Sequence, residues 1–120
     1  MNRQRVSPCF CTSLAMRKRT GTVSSMAILE VETFTLNPGV VAQEFRALDE
    51  KMQEWCYLNR TGLARRTTAR NDNGSYVVIT LFGEASHADA TYYRSTDAVV
   101  AQWSASIVES SRSVAVYTLL

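Results

Sequence analysis

Two glutamates in an alternating segment have the side chains best suited to chemistry in this chain. Residues 27–36, AILEVETFTL, follow the two-residue period of a β-strand, which places Glu30 and Glu32 on one face. A carboxylate that is buried in a pocket has a raised pKa and can act as a general base. Tyr76 and Thr80 lie on one face of a second alternating segment and are expected beside the glutamates. This group predicts the polar part of a pocket for a small aromatic or acyl molecule.

Further residues could complete that pocket. Tyr92 can wall its mouth, and Arg94 can hold an anionic group. His87 is the single histidine and stands where a second helical region begins. The full set of candidate ligand-binding residues is Glu30, Glu32, Phe34, Tyr76, Thr80, His87, Tyr92 and Arg94.

Each candidate also has a purely structural interpretation. Glu30 and Glu32, together with the arginines of residues 65–70, can be salt bridges of a dimer or solvated charges. His87 can be an exposed residue at a helix start, and the Tyr92–Tyr93 pair can pack a helix on the sheet. The sequence leaves these alternatives open.

The sequence gives little support to a metal site or a bound cofactor. Cys9 and Cys11 lack the further ligands that a structural zinc ion needs, and a lone histidine cannot build a metal site. Cys56 falls in a helical pattern and is expected to be a small buried hydrophobic residue. Glycine-rich nucleotide loops, the hydrolase Gly-x-Ser-x-Gly and the zincin His-Glu-x-x-His are absent from the sequence. We therefore expect no cofactor.

The elements that must position these residues can be derived from periodicity. Asn37-Pro38-Gly39 can start a helix whose apolar stripe is Val41, Phe45, Leu48, Met52 and Trp55. Strands are predicted over 63–70 and 75–82 around the turn at 71–74. A second helical region over 86–109, with a break at 95–97, precedes a last strand over 113–120.

The order β-α-β-β-α-β predicts an α+β, ferredoxin-like fold with a four-stranded antiparallel sheet in the order 4-1-3-2 and both helices on one face. Val77, Ile79 and Leu81 form a fully apolar face, which we assign to the core beneath the helices. The opposite face, with Glu30 and Tyr76, is then uncovered. Because it is too apolar to leave in water, we expect two sheets to pair face to face in a homodimer.

This arrangement resembles the dimeric α/β-barrel superfamily and, within it, the antibiotic-biosynthesis monooxygenases. The resemblance covers residues 28–120 and rests on element order, on Leu36-Asn37-Pro38-Gly39 before a helix with Phe45, on Gly62-Leu63 opening strand two, and on Trp103. It implies a dimeric α/β barrel. The superfamily includes cofactor-independent oxygenases, haem enzymes, cyclases and isomerases, so the resemblance constrains the reaction weakly.

The first 25 residues differ from the rest of the chain. The net charge of +2 comes from 13 basic and 11 acidic residues, and no acid precedes residue 26. We expect a disordered basic leader over 1–25 and the domain over 26–120, with a transit peptide as the alternative for the leader. A mildly acidic domain argues against nucleic-acid binding, and no apolar run suits a membrane span. The expected location is the cytoplasm, or an organelle if the leader is a transit peptide.

Two functional hypotheses follow. In the first, the chain is a small homodimeric barrel that binds a largely apolar organic molecule and acts as a cofactor-independent, monooxygenase-like enzyme. In the second, the same dimer is a non-catalytic ligand-binding or interaction module. The sequence leaves open whether the protein is an enzyme at all.

Overall fold

A computed structural model of the chain describes residues 27–84, 88–89 and 91–120. The predicted leader over 1–25 and His87 lie outside the described residues. The elements are β1 (Ile28–Phe34), α1 (Ala42–Asn59), β2 (Leu63–Arg70), β3 (Tyr76–Phe82), a 3-10 helix (Tyr92–Arg94), α2 (Ala98–Ala105), a second 3-10 helix (Glu109–Ser111) and β4 (Ser113–Thr118).

The four strands form one antiparallel sheet in the order β2-β3-β1-β4. This confirms the ferredoxin-like order β-α-β-β-α-β with two helices and the predicted strand order. The β2–β3 hairpin closes through Asn71, whose side-chain oxygen accepts hydrogen bonds from the backbone of Asn73 and Ser75. Gly74 completes the turn at φ 86°, a left-handed conformation that favours glycine.

The face of the sheet that the helices cover is the opposite of the one that the sequence indicated. The side chains buried beneath the helices are Ile28, Glu30, Glu32 and Phe34 of β1 and Tyr76, Val78, Thr80 and Phe82 of β3. Val77 and Leu81 are only half-buried, and Ile79 is exposed. The prediction was wrong because both faces of β3 are apolar enough to form a core, and the strand pattern does not reveal where partners for the two glutamates come from.

Helix α1 differs from its prediction in start and in phase. Asn37 does not cap it, because its side-chain amide donates to the carbonyls of Ala105 and Ile107 at 2.8 and 3.3 Å. The helix therefore begins at Ala42. Its buried stripe is Phe45, Asp49, Met52 and Cys56. Phe45 and Met52 agree with the prediction, whereas Asp49 and Cys56 are buried in place of the preceding residues Leu48 and Trp55. Asp49, which lies outside the predicted apolar stripe, is buried, whereas Val41 of that stripe is exposed.

The second helical region is shorter than predicted but breaks where expected. The first 3-10 helix ends at Arg94, α2 begins at Ala98, and Val100 and Trp103 of α2 are fully buried. Trp103 packs edge-to-face on Phe34 with ring centroids 5.5 Å apart. Within the part of the chain that the structure describes, neither helix has the length and apolar character of a membrane span.

Candidate functional site

Six charged side chains meet between the sheet and the helices, and we call them the charge cluster. Three are carboxylates and three are guanidinium groups, so the cluster is balanced in charge. Burial of charges is costly unless each is paired and hydrogen-bonded, and all six take part in ion pairs. The members are Glu30, Glu32, Asp49, Arg60, Arg66 and Arg112.

Glu30 is held by Arg60, the residue that directly follows α1. The two guanidinium nitrogens of Arg60 donate to both carboxylate oxygens at 3.1 and 3.3 Å, a bidentate contact. The guanidinium also lies 3.8 Å from the ring centroid of Tyr92 and donates to the carbonyl of Asp89 at 2.9 Å. Both oxygens of Glu30 are therefore engaged within the chain.

Asp49 of α1 holds Arg66 of β2 and Trp103 of α2. Its Oδ1 accepts hydrogen bonds from Arg66 Nη2 at 2.8 Å and from the indole of Trp103 at 2.9 Å. Burial by itself would lower the pKa of Arg66, but the charge and hydrogen bond of Asp49 outweigh it and raise that pKa. Gln53 accepts a further hydrogen bond from Arg66 Nη1. This pair is a fixed link between sheet and helices.

Glu32 is held differently. Its Oε1 accepts a hydrogen bond from the hydroxyl of Tyr92 at 2.6 Å, and its Oε2 forms a buried ion pair with Arg112. Burial raises the pKa of Glu32 above its ordinary value, although Arg112 and the Tyr92 hydrogen bond act in the opposite direction. Burial and the neighbouring Glu32 also raise the pKa of Tyr92. Glu32 is therefore a stronger base than an exposed glutamate.

Arg112 has donors that the described residues do not use. Its side chain is 4% exposed, and its Nε and Nη1 have no hydrogen-bond acceptor within the described ranges. Its Nη2 makes the ion pair with Glu32. The guanidinium lies 3.7 Å from the ring centroid of Tyr93 and 5.2 Å from that of Trp103, which hold it in place. A buried donor without an acceptor is costly, and this cost can be offset by a ligand oxygen.

Strand β4 borders the cluster at the edge of the sheet. In the β1–β4 register Glu32 lies beside Val114 and Glu30 beside Val116, and partners in register share a face of the sheet. Val114 is half-buried and Val116 is 54% exposed. Val114 and Val116 therefore form an apolar edge beside the two glutamates, which are themselves 1% exposed.

The structure brings only some of the predicted site residues together. Glu30 and Glu32 are in the charge cluster, and the hydroxyl of Tyr92 donates to Glu32. Thr80 is buried beside Glu30 in the β1–β3 register. Phe34 and Tyr76 stack on each other in the aromatic core with centroids 5.9 Å apart. Ligand binding by the eight predicted residues therefore stays a prediction.

Arg94 does not join the charge cluster, and three cluster members were missed. Arg94 is exposed, with its guanidinium over the ring of Tyr93, and His87 lies outside the described residues. The arginines of β2 were expected in a dimer contact or in solvent, but Arg66 is buried within its own chain. The missed members are Asp49, Arg60 and Arg112.

The sequence does contain a signal for the burial of Asp49, because positions 45, 49, 52 and 56 follow the spacing of one helix face. No local pattern marks Arg60 or Arg112, which lie in the short connections that follow α1 and precede β4. No group of three or more His, Cys, Asp and Glu side chains among the described residues has the arrangement of a metal site.

Solved structures share this fold. A Caulobacter crescentus protein provisionally named an antibiotic biosynthesis monooxygenase matches with a TM-score of 0.62 at 18% identity, over 81% of this chain and 92% of its own. SnoaB, a cofactor-independent oxygenase from Streptomyces nogalater, matches with a TM-score of 0.58 at 16% identity, over 80% of this chain and 95% of its own.

A conserved protein from Methanosarcina mazei Go1 matches with a TM-score of 0.57 at 16% identity, over 78% of this chain and 93% of its own. No protein-family model and no curated protein matches the chain. At these identities the likeness shows the fold, which is the ferredoxin-like fold that antibiotic-biosynthesis-monooxygenase proteins also have.

Proposed function

We propose that this protein is a homodimeric, cofactor-independent monooxygenase that binds a small, largely apolar organic molecule beside Glu32 and Arg112. The observation that carries the proposal is the pairing of a buried carboxylate of raised pKa with a buried guanidinium that has unused donors. A base and an anion-stabilising group are what an oxygenation without metal or flavin needs from a protein. The likeness to SnoaB, named a cofactor-independent oxygenase, supports the same reaction class.

In the proposed reaction the electrons that reduce O2 come from the substrate itself. Glu32 takes a proton from an acidic CH2 group of an activated aromatic ketone, and Arg112 stabilises the oxyanion form of the resulting carbanion. The carbanion donates electrons to O2 and a C–O bond forms. The peroxide then loses water, so that CH2 and O2 give C=O and H2O. A base positioned in this way contributes about 10²–10⁴-fold to a rate.

An oxygen-uptake assay with anthrone tests this proposal. We expect the protein to accelerate O2 consumption over the spontaneous oxidation of anthrone and to form anthraquinone. Glu32→Gln, which keeps size and shape, should lose about 100-fold or more in rate. Glu50→Gln, at an exposed position of α1, is the matched control and should keep the rate of the wild type. Equal rates for Glu32→Gln and the wild type would refute Glu32 as the base.

The proposed dimer uses the sheet face opposite the helices. Ile79 is exposed, and Tyr117 is 56% exposed on the same face by the strand register. Leu29, Val31 and Leu81 are half-buried there, so the face offers a continuous apolar surface to a second copy.

Ile79→Lys should convert the dimer to a monomer in sedimentation velocity. Leu58→Lys, on the exposed side of α1, is the control and should leave the dimer intact. A monomeric wild-type protein at micromolar concentration would refute the dimer.

One observation favours the second candidate function, a non-catalytic ligand-binding module. Every carboxylate of the charge cluster is ion-paired, which is also how a purely structural network looks. In that case a ligand binds beside Arg112 without O2 uptake. The anthrone assay separates the two, because binding of anthrone without accelerated O2 consumption supports the module.

A further inference from the structure

We infer that Arg65 of one copy lies on the ring of the partner's Tyr117 in the proposed homodimer, and that this contact orients the two copies. The inference rests on the dimer of the proposed function and deepens it by naming the residues by which one copy recognises the other. It requires a two-fold axis parallel to the strands, so that β2 of each copy lies over β4 of the other.

The sheet face opposite the helices is ordered in three rows that cross all four strands. Each row consists of register partners, with one side chain each from β4, β1, β3 and β2 on this face. In that strand order, the rows are Tyr117, Leu29, Leu81 and Arg65; Ala115, Val31, Ile79 and Thr67; and Ser113, Thr33, Val77 and Ala69. Arg65 and Tyr117 therefore stand at the two ends of one row.

Arg65 is the one charged residue among these twelve positions of the described strands, and it is half-buried. A charge that a second copy covers is costly to desolvate unless another group compensates it. Because none of the twelve positions is acidic, the group that can compensate a guanidinium on this face is the π face of an aromatic ring. Tyr117 is the single aromatic residue of the twelve and is 56% exposed.

The two-fold axis of a face-to-face pair has two orientations that suit aligned sheets, whose strands stay within about 30° of each other. When the axis runs along the strands, the strand order is reversed and each row lies over the same row of the partner. Arg65 then lies over the partner's Tyr117, and Leu81 lies over the partner's Leu29. The contact forms twice, because the axis exchanges the two ends of the row.

The other orientation gives Arg65 no compensating group. When the axis runs across the strands, each strand lies over its own copy and the order of the rows is reversed. Arg65 then lies over the partner's Ala69, and Tyr117 lies over the partner's Ser113. The guanidinium is desolvated without a carboxylate or a ring, which is unfavourable. The face is therefore self-complementary when the axis runs along the strands.

The first test measures the distance between the two β2–β3 hairpins of the dimer. A spin label is attached at Asp72→Cys, an exposed position of the turn, in the full chain with Cys9→Ser and Cys11→Ser. Cys56 is buried and stays unlabelled in the folded protein. With the axis along the strands both hairpins lie at the same end of the dimer, and the Cα atoms of residue 72 are roughly 10–20 Å apart. With the axis across the strands they are roughly 25–30 Å apart, and electron paramagnetic resonance separates the two cases.

The second test measures dimer dissociation constants by sedimentation velocity. Tyr117→Leu leaves Arg65 covered without a ring, so the constant should rise about 10-fold or more. Tyr117→Phe keeps the ring and should dimerise like the wild type. Arg65→Met/Tyr117→Leu removes the uncompensated charge and should recover most of the affinity, which a simple loss of contact area would not. Val116→Ala, on the other face of β4, is the matched control and should leave the constant unchanged.

The failures of the two proposals are distinguishable, provided that circular dichroism shows each variant to be folded. If the wild type is monomeric at micromolar concentration, the proposed dimer is wrong and this inference falls with it. If the wild type is dimeric but its hairpins lie at opposite ends, the dimer stands and this inference is wrong. The inference is also overturned if Tyr117→Phe weakens the dimer as much as Tyr117→Leu, or if the double variant binds no more tightly than Tyr117→Leu alone.

Discussion

Asp49→Leu should destabilise the fold more than a typical single substitution. The change removes the carboxylate that pairs with Arg66, whose side chain is 0% exposed. Breaking a buried ion pair from one side costs about 3–5 kcal/mol, because the remaining charge stays buried without compensation. The indole N–H of Trp103 also loses its acceptor, and this loss is not simply additive to the first. For a domain of this size, each kcal/mol lowers Tm by roughly 4–8 °C.

Urea denaturation followed by circular dichroism measures the loss. Protein concentration is held constant because the stability of the proposed dimer would depend on it. Glu50→Ala is the matched control on the same helix. Its ion pair with Arg46 is exposed and 3.9 Å long, so its removal should cost about 0–1 kcal/mol. The difference between the two variants isolates the effect of burial on an ion pair.

The double variant Asp49→Leu/Arg66→Met extends this test. Replacing both partners by apolar residues should recover most of the loss, and the unsatisfied N–H of Trp103 leaves a residual cost of about 1–3 kcal/mol. The reasoning is refuted if Asp49→Leu costs no more than Glu50→Ala. It is also refuted if the double variant is less stable than Asp49→Leu alone.

Two further predictions concern ionisation in the core. Because the pKa of folded Glu32 lies above its ordinary value of 4.5, its proton stabilises the fold fully below that pH, and this contribution is lost as pH rises through the raised pKa. The stability of the wild type relative to Glu32→Gln should therefore fall from pH 4.5 towards neutrality in a series of urea titrations, and a difference that rises with pH would contradict it. Burial raises the pKa of Cys56 to about 11, so iodoacetamide at neutral pH should label its peptide only after unfolding, as mass spectrometry can show. Labelling of folded Cys56 at the rate of a free thiol would contradict the burial.

The strands were predictable because each depends on neighbours in sequence. The alternation of residues 27–36 encodes β1, and Asn71 and Gly74 encode the hairpin that sets the β2–β3 register. The break between the first 3-10 helix and α2 follows from the polar residues at 95–97 in the same way. Element order then leaves few topologies, and the ferredoxin-like sheet is one of them.

The site was only partly predictable. Glu30, Glu32 and Tyr92 were identified because their types stand out in apolar segments. The arginines whose charges compensate the buried glutamates lie far along the chain. Arg60, for example, is 30 residues from Glu30. Arg112 follows a 3-10 helix and precedes β4, where a charged residue is ordinarily exposed. Local patterns contain no information on such partners.

The amino-acid sequence alone determined the order of strands and helices, the antiparallel sheet and the presence of two glutamates on one face of β1. Tertiary structure decided that this face lies under the helices, although the sequence favoured the opposite face. The reason is energetic. Two buried carboxylates are tolerated only where guanidinium groups from distant segments meet them, and only the folded chain brings Arg60 and Arg112 to Glu30 and Glu32.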